Sequence, residues 1–313
     1  MTDEKPLISV AMCTYNGERY LGQQIDSVLA QDYPNIELII VDDCSTDNTI
    51  EVLEGYAAVD SRIRLHKNPK NLGFIKNFEK ALRLCRGSLI ALCDQDDIWL
   101  QNKLSLLWEE MGDSLLIYSA VSLIDENGKP LNGTFPRVKR LEGSSALSLI
   151  FDNCVIGHSC LLRKELLDWA LPIPNNVFSH DHWLAIIAAA RGGLKASNIV
   201  GSLYRQHAQN TLLNAKKRGR KVSRATKNAR KLARNRELIE CLIERDILPS
   251  EDRQKLQFVS TLLQRNSRCY FNLSLYRFLL IHADEFLRLY SDTTKAARKI
   301  SRGNWFYRLT PFL

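Results

Sequence analysis

Three aspartates within four residues, Asp94, Asp96 and Asp97, are the strongest chemical signal in the sequence. They follow the apolar run 89–92, whose leucine and isoleucine content favours a buried parallel strand. Carboxylates this close repel one another, so they remain ionised only beside a cation or in strong hydration. Asp94 and Asp96 offer the oxygen ligands that Mg²⁺ or Mn²⁺ prefers. The alternative is a polar loop whose aspartates cap a helix predicted over 101–111.

Two more polar clusters follow predicted strands in the first 110 residues. A strand over 7–12 leads into the polar run 14–18, and a strand over 36–41 ends at Asp42 and Asp43. Helices are predicted between the strands because apolar residues recur every three or four positions. This alternation predicts a parallel sheet covered on both faces, in which ligands bind at the carboxyl ends of the strands. Three polar clusters at one edge therefore favour a nucleotide or metal site.

Short-range signals predict where several elements begin and end. Ser45 or Thr46 is expected to cap the second helix, and Gly87 is expected to close the third. Further along the chain, residues 115–120 and 121–124 are strand-like. The polar segment 132–145 is expected to be a connection or a mobile loop.

The composition is that of a globular protein with a large core. The chain has 313 residues, of which 45% are hydrophobic and 25% charged, and a formal net charge of +8. The first residues lack the layout of a signal peptide, and no apolar run approaches the roughly 20 residues that cross a bilayer. The eight cysteines form no Cys-x-x-Cys pair, which favours reduced thiols in a cytoplasmic protein over a zinc site.

Four short motifs occur in the order and spacing of a family 2 glycosyltransferase. They are Ala-Met-Cys-Thr-Tyr-Asn-Gly at 11–17, Val-Asp-Asp-Cys-Ser-Thr-Asp at 41–47, Asn-Leu-Gly at 71–73 and Asp-Gln-Asp-Asp at 94–97. With His-Asp-His-Trp at 180–183 and Tyr-Arg-Gln-His at 204–207, the chain most resembles bacterial rhamnosyltransferase-like enzymes that build surface polysaccharide. The resemblance runs from about residue 7 to about residue 210.

The resemblance implies an α/β protein with the GT-A fold, a Rossmann-like, mostly parallel sheet flanked by helices. The transferase domain would span 1–212, with a nucleotide-sugar half up to about residue 110 and an acceptor half over 111–212. Residues 213–313 would form a basic, C-terminal α-helical extension, with helices predicted over 252–264, 273–281 and 283–289 and an aromatic end over 304–313. The resemblance does not cover this extension.

The resemblance also implies roles around a nucleotide-sugar donor. The residues expected to line the nucleotide pocket are Thr14, Tyr15, Asn16 and Glu18. Asp42 would accept a hydrogen bond from the pyrimidine N3–H, with Asp43 supporting its loop. Asn71, Gly73 and Asn77 would lie near the ribose and the diphosphate. Pure loop support is the alternative for Asp43.

In the Asp-x-Asp motif, Asp96 would bind the metal directly. Asp94 would join it in the metal shell, or bond the ribose or a metal-bound water. Gln95 fills the variable position of the donor site, and Asp97 would hold the loop or touch the sugar. His207 would complete the metal shell or bind the diphosphate, with a surface histidine as the alternative. Arg205 is a candidate for anion binding.

Asp181 matches the catalytic base of the family. An inverting transfer needs one group that takes the acceptor hydroxyl proton as the hydroxyl attacks the anomeric carbon. The alternative is ordinary dipole complementation, because Asp181 falls in the first turn of a predicted helix. Of the flanking His180 and His182, one is expected to point outward. His158 would face the sugar or play a structural role.

Residues 216–236 hold eleven lysines and arginines and no acid, and their thin apolar stripe predicts a basic amphipathic helix. This helix is compatible with an anionic membrane surface, with nucleic acid, or with solvent over a packed core. The absence of interleaved aromatic residues disfavours nucleic acid. A lipid-diphosphate-linked acceptor would sit at the inner face of the cell membrane, which favours the membrane surface.

We therefore interpret the sequence as an inverting, metal-dependent glycosyltransferase, peripheral on the cytoplasmic face of the membrane. It is expected to move rhamnose from dTDP-rhamnose to a growing surface glycan. UDP-galactose or a UDP-N-acetylhexosamine is the alternative donor. The alternative of another class is a non-catalytic, basic membrane- or nucleic-acid-binding protein on a transferase fold.

Overall fold

The structure, a computed structural model, describes residues 5–136, 138–208, 224–266, 269 and 271–302. Nine strands form one mixed sheet. They are β1 (Ile8–Thr14), β2 (Ile36–Asp42), β3 (Ile63–Lys67), β4 (Leu89–Cys93), β5 (Ile98–Trp99), β6 (Leu116–Ile124), β7 (Pro130–Phe135), β8 (Cys160–Arg163) and β9 (Leu194–Arg205).

Strand order places the predicted site near the middle of the sheet. The order is β3-β2-β1-β4-β8-β6-β9-β5, and β7 pairs with β6. The first four strands in this order are parallel, so β1, β2 and β4 end at the same edge. β8 is antiparallel to both β4 and β6, and β6 is parallel to β9. The acceptor half is thus built onto the nucleotide half through β8.

Helices cover both faces of the sheet. They are α1 (Glu18–Leu29), α2 (Thr49–Val59), α3 (Phe74–Leu84), α4 (Lys103–Met111), α5 (Leu166–Ala170), α6 (His180–Arg191), α7 (Arg224–Glu244), α8 (Ser250–Asn266), α9 (Leu273–Ile281), α10 (Ala283–Phe286) and α11 (Thr293–Ile300). Single 3₁₀ turns occupy Ala146–Leu149 and Gly157–Ser159.

Alternation along the strands divides the buried residues into two cores. Val10 of β1 packs in one core with Ile25 of α1. Its neighbour Ala11 belongs to the other core, with Phe78 of α3 and Trp183 of α6. Successive side chains of a strand point to opposite faces, so an uninterrupted apolar strand fills both cores at once.

The C-terminal helices belong to the second core. Ile239 and Leu242 of α7 and Leu256 of α8 lie in the same buried cluster as Trp183. Arg245, just after α7, lies 5.1 Å from the Trp183 ring and donates to the Ala170 carbonyl over 3.3 Å. The division of the chain at residues 212 and 213 stays a prediction. The described part of the extension nevertheless shares its apolar packing with the acceptor half.

Several predicted element ends are wrong. α2 begins at Thr49 after Asn48. Ser45 and Thr46 do not cap it, because their hydroxyls donate to the side chains of Asp42 and Asn16. α3 ends at Leu84, short of Gly87. The glycine is required for another reason, since a Cβ at Gly87 would lie 2.4 Å from the Leu7 carbonyl oxygen.

Other segments differ in extent from their predictions. The two strand-like runs over 115–124 are one strand, β6, and the first residues of the polar segment 132–145 belong to β7. α8 and α9 appear near their predicted positions, and α10 is shorter than predicted. All eight cysteines, each among the described residues, are free thiols. The basic residues 216–223 and the aromatic end 304–313 lie outside the described residues.

Candidate active site

A buried carboxylate joins the carboxyl ends of β1 and β2. The strand register pairs Thr14 with Asp42, and the Thr14 hydroxyl donates to Asp42 Oδ1 over 2.9 Å. Ser45 donates to the same carboxylate through its N–H (2.8 Å) and its hydroxyl (2.5 Å). Asp42 keeps only 1% of its surface exposed. Its carboxylate therefore fixes the loop after β2, at the edge where the nucleotide base is expected.

The polar residues 14–18, at and after the end of β1, are hydrogen-bonded to the loop after β2. Asn16 has a φ of 49°, in the left-handed region, and its side-chain oxygen accepts a hydrogen bond from the Thr46 N–H over 2.8 Å. The Glu18 carboxylate accepts one from the Asn48 N–H over 2.9 Å. Tyr15, by contrast, is 47% exposed. Asn16 and Glu18 thus hold the two loops together, and Tyr15 has surface left for a ligand.

Gln95 fastens the loop after β4 to the loop after β1. Its side-chain oxygen accepts from the Tyr15 N–H over 2.8 Å, and its side-chain nitrogen donates to the Tyr15 carbonyl over 3.1 Å. Gly17 leaves room for this contact, since a Cβ there would lie 2.3 Å from Gln95 Oε1. Gln95, at the variable position of the motif, therefore connects the two loops through a pair of hydrogen bonds.

Asp43 organises the loop that precedes α3. Its carboxylate accepts hydrogen bonds from the Asn68 side chain (2.8 Å) and from the N–H groups of Leu72 (2.7 Å) and Gly73 (2.9 Å). The Asn71 side chain donates to the Asp43 carbonyl over 3.1 Å. Gly73 has a φ of 81°, which suits glycine at this turn. Loop support is therefore the role that the contacts of Asp43 show.

Asn77 lies beneath this loop and is 1% exposed. Its side-chain nitrogen donates to the Val41 carbonyl over 2.8 Å, and its side-chain oxygen accepts from Asn68 over 2.8 Å. Both polar atoms are thus satisfied by the protein. Asn77 supports the loop that carries Asn71 and Gly73 from below.

The three clustered aspartates occupy different environments. The Asp97 side chain is fully buried, while Asp94 and Asp96 are partly exposed. Asp96 Oδ2 lies 2.7 Å from His207 Nε2, so two predicted metal ligands from distant parts of the chain meet. Burial, with the charges of Asp96 and Asp181, raises the pKa of Asp94 to about 7. Negative charge is concentrated at the open side of this cluster.

A polar network lies under the aspartates. Asp97 Oδ1 accepts from the Arg205 N–H over 2.9 Å, and Asp97 Oδ2 lies 3.2 Å from His158 Nδ1. Lys103, also buried, donates to the His158 carbonyl over 2.6 Å and lies 3.1 Å from the Trp99 ring centre. Burial lowers the pKa of Lys103 to about 7 and of His158 to about 3, and it raises that of Asp97. The structural role is the one that fits His158.

Arg205 is buried next to the same loop, with 1% of its surface exposed. Its Nε donates to the Asp96 carbonyl over 2.8 Å, one Nη donates to the Gln23 side chain over 2.8 Å, and the guanidinium lies 4.6 Å from the Tyr20 ring centre. These contacts hold the loop of the Asp-x-Asp motif. Anion binding by Arg205 stays a prediction.

Asp181 is fixed at the first turn of α6 by three donors. Its Oδ1 accepts from the Ser179 hydroxyl and from the His182 N–H over 2.6 Å, and its Oδ2 accepts from the Gly157 N–H over 3.0 Å. The turn that holds Asp181 also contacts the aspartate cluster, because His158, which follows Gly157, lies 3.2 Å from Asp97 Oδ2 through its Nδ1. A base held in this way can receive a proton from a hydroxyl placed between α6 and β4.

The prediction that one of the two histidines beside Asp181 points outward is wrong. His180 and His182 are each 6% exposed. The His180 ring stacks on Phe78 at 3.8 Å, and burial lowers its pKa to about 4. His182 Nε2 lies 2.6 Å from the Leu149 carbonyl oxygen. Both rings are therefore packed against the protein.

The donor set fits a hard divalent cation. Asp94, Asp96 and His207 offer carboxylate and imidazole ligands at the open side of the cluster. Among the described residues, Asp94, Asp97 and His158 also place one ligand atom each within 4.8 Å of one another. Asp97 and His158 are fully buried and already bonded to Arg205 and Ser202. Metal binding by Asp94, Asp96 and His207 stays a prediction.

Residues 9–168 match the family model described as glycosyl transferase family 2. The chain therefore belongs to this family, and the protein is a glycosyltransferase with the GT-A fold. It is 33% identical over 191 residues to the putative teichuronic acid biosynthesis glycosyltransferase TuaG of Bacillus subtilis, covering 60% of this chain and 74% of the relative. It is 35% identical over 193 residues to the UDP-Glc:alpha-D-GlcNAc-diphosphoundecaprenol beta-1,3-glucosyltransferase WfgD of Escherichia coli, covering 58% and 70%.

Solved structures show the same fold. TarS of S. aureus (residues 1–349), in complex with UDP-GlcNAc, superposes with a TM-score of 0.61 at 19% identity, over 82% of this chain and 72% of that chain. The mannosyltransferase PcManGT of Pyrobaculum calidifontis, in complex with GDP-Man and Mn²⁺, gives a TM-score of 0.55 at 16% identity, over 99% and 88%.

Proposed function

We propose that this glycosyltransferase moves one sugar from a nucleotide sugar to a growing bacterial surface glycan. The observation that carries the proposal is that one short turn joins the two groups. Gly157 donates to Asp181 at the start of α6, and the next residue, His158, lies 3.2 Å from Asp97 in the aspartate cluster after β4. The names of the relatives TuaG and WfgD, which refer to teichuronic acid biosynthesis and to a diphosphoundecaprenol-linked acceptor, support the choice of a surface glycan.

In the proposed reaction, Asp181 accepts the proton of the acceptor hydroxyl. The hydroxyl oxygen then bonds to the anomeric carbon from the side opposite the nucleotide, and the bond from that carbon to the diphosphate breaks. The configuration at this carbon is inverted, and no covalent enzyme intermediate is formed. The hydrogen bonds from Gly157 and Ser179 hold the carboxylate in place for this transfer.

The nucleotide would bind across the loops after β1 and β2. Tyr15 offers an exposed ring, while Thr14, Asn16, Glu18, Asp42 and Asp43 keep the loops in position. Rhamnose from dTDP-rhamnose is the donor that we favour, because of the motifs at 94–97, 180–183 and 204–207. A UDP-linked hexose or N-acetylhexosamine is the alternative donor.

We propose that Asp96, with Asp94 and His207, holds Mg²⁺ or Mn²⁺. When bound, the ion would balance the negative charge of the leaving nucleoside diphosphate. The Mn²⁺ named in the PcManGT complex supports the use of a divalent ion in this fold. Loss of transfer in excess chelator, restored by Mn²⁺, is the expected result.

The acceptor is proposed to be lipid-linked and reached at the inner face of the cell membrane. Exposed cations on the described part of the basic segment, Lys227 and Arg230 among them, support binding to an anionic membrane surface. Among the described residues, no helix combines the length and apolar character that a membrane crossing requires. Nucleic acid is not a proposed partner.

The proposed function is tested by combining nucleotide binding with transfer. Nucleotide sugars with dTDP, UDP and GDP are screened by thermal shift with and without Mn²⁺, since a ligand of the folded state raises the melting temperature. Asp96→Ala is expected to abolish the Mn²⁺-dependent shift. Asp181→Asn is expected to keep the shift and to lose at least about 100-fold in transfer rate. Asp113→Asn, at an exposed position, is the control. Unchanged transfer by Asp181→Asn contradicts the proposal.

A further inference from the structure

Two exposed aromatic side chains, Phe74 and Phe178, lie close to the candidate base, Phe74 by its contact with His180 and Phe178 by its position in the chain. Among the described residues, nine large hydrophobic side chains are exposed, and four of them lie on the loops of the site or just before α6. Tyr15 and Leu72 belong to the donor loops. Phe74, at 44% exposure, begins α3, and Phe178, at 51%, lies three residues before Asp181. Exposed aromatic rings beside a candidate catalytic group are candidates for contact with a ligand.

Phe74 is positioned by a neighbour of the base. The Phe74 ring contacts His180 edge to face, with 6.3 Å between the ring centres, and His180 is itself stacked on Phe78. Gly157 completes this packing, because a Cβ there would lie 3.1 Å from His180 Nε2. The Phe74 ring is therefore fixed against the residue that precedes Asp181.

The C-terminal extension adds a cation at the same place. The Arg234 guanidinium of α7 lies 5.7 Å from the centre of the Phe178 ring, and both side chains are exposed. Arg234 lies outside residues 9–168, which match the family model. Arginine binds phosphate oxygens through two parallel hydrogen bonds, so an exposed guanidinium beside a binding surface suits an anionic ligand.

We propose that Phe74, Phe178 and Arg234 form the acceptor subsite, an inference that rests on the proposed function. The sugar that receives the new residue would lie on the aromatic rings, because the C–H groups of a pyranose are attracted to the negative face of an aromatic ring. The guanidinium of Arg234 would bind the diphosphate that links this sugar to its lipid. The extension thereby selects a diphosphate-bearing acceptor.

The test uses the full chain, its best donor, and synthetic acceptors in which glucose, N-acetylglucosamine, N-acetylgalactosamine or rhamnose is linked through a diphosphate to an undecyl chain. A second set carries the same sugars on undecanol without the diphosphate. Phe74→Ala and Phe178→Ala are expected to raise the acceptor KM about tenfold in both sets. Arg234→Ala is expected to raise it about tenfold for the diphosphate set alone.

Donor hydrolysis in the absence of acceptor separates this inference from the proposed function. Donor hydrolysis is measured in wild type and in every variant, so that a change in the acceptor KM is separated from a change in donor binding. Phe258→Ala, at a phenylalanine with 49% exposure on α8, and Arg277→Ala, at an exposed position on α9, are the matched controls. Phe178→Tyr is expected to retain the wild-type KM.

Two results overturn the inference while leaving the proposed function standing. One is an unchanged acceptor KM in Phe74→Ala and Phe178→Ala. The other is a wild-type enzyme that hydrolyses its donor and uses acceptors without a diphosphate as well as those with one. A wild-type protein that neither hydrolyses nor transfers from any nucleotide sugar refutes the proposed function itself, and the subsite with it.

Discussion

Buried side chains, more than surface ones, set the charge of the acidic cluster. The Lys103 ammonium is fully buried, and its charge lowers the pKa values of Asp94 and Asp97, against the burial that raises them. A buried cation is costly unless it is paired or hydrogen-bonded, and here the His158 carbonyl and the Trp99 ring supply the contacts. In its protonated form, Lys103 thus offsets part of the repulsion between these carboxylates.

His180 makes the stability of the protein sensitive to acid. Burial holds its pKa at about 4 in the folded protein, against 6.5 for an ordinary histidine. Between these values the unfolded chain binds the proton and the folded protein does not, so stability falls as the pH drops from about 7 to 4. Between pH 7.5 and 5.0 this loss amounts to about 2 kcal/mol.

His180→Phe is expected to remove that part of the pH dependence. The phenyl ring keeps the stacking on Phe78 but has no group that titrates. The measurement is the free energy of unfolding in urea at pH 7.5 and 5.0, for wild type and variant. An equal loss of stability in both proteins would show that His180 is not responsible.

Among single residues, the aspartates of the site could be predicted from the sequence, but the buried lysine beneath them could not. Asp94 and Asp96 stood out because they follow an apolar run at a strand end, and Asp181 stood out through its match to the family motif. Lys103 carried no such signal, since a lysine at the start of a helix is ordinarily solvated. The burial of Lys103 depends on packing between α4, β5 and the turn Gly157–Ser159, which no local pattern contains.

The loops of the site work as connected elements. Gln95 joins the ends of β4 and β1, Asp42 joins β1 to β2, and Asp43 joins β2 to the loop before α3. In each case, a side chain at the end of one strand bonds a loop that follows a different strand. The parallel order of β1, β2 and β4 could be predicted from strand–helix alternation, and so could their common edge. The reversal of direction at β8 could not, because short strands carry no sign of their partner's direction.

Gly17 and Gln95 are expected to behave as one unit. Gly17→Ala places a Cβ where the Gln95 side chain lies and displaces its two hydrogen bonds to Tyr15, at a cost of about 1–3 kcal/mol in unfolding free energy. Gln95→Ala should cost a similar amount. The double variant should cost little more than either single one, because the same contact is lost in each.

Urea unfolding of the four proteins in this cycle gives the coupling energy. Gly55→Ala is the control, because nothing lies within 4 Å of a Cβ there and the position is inside α2. This control is expected to gain about 0.5–1 kcal/mol through the lower flexibility of the unfolded chain. Additive losses for Gly17 and Gln95 would mean that the two residues act independently.

The whole molecule combines a family fold with an extension that packs into it. Ile239, Leu242 and Leu256 share a core with Trp183, so removing the extension would expose that core and would not isolate its effect on membranes. Membrane binding is better tested by replacing exposed cations of α7 with acids, which leaves the shared core intact. The sequence indicated the helices of the extension, but not the side of the sheet they cover, because their apolar stripes fit any apolar face.

Lys227→Glu with Arg230→Glu is expected to weaken binding to vesicles that contain phosphatidylglycerol about 30-fold or more. Each cation near an anionic surface contributes about 1 kcal/mol. The control carries the same change of net charge away from α7, at the exposed positions Lys129 and Arg277. Co-sedimentation with anionic and neutral vesicles measures the effect. Equal weakening by both pairs, or no binding by the wild type, counts against a membrane surface at α7.

The hydrogen bonds that close the acceptor half also impose an order on biosynthesis. The Ser148 hydroxyl donates to the Glu285 carbonyl, 137 residues further along, and the Lys139 N–H donates to the Leu289 carbonyl. At a synthesis rate of about 5–20 residues per second, Glu285 is added about 7–27 s after Ser148, which lies in the 3₁₀ turn Ala146–Leu149. This contact of the acceptor half can therefore form only after residue 285 has been synthesised, late in the production of the chain.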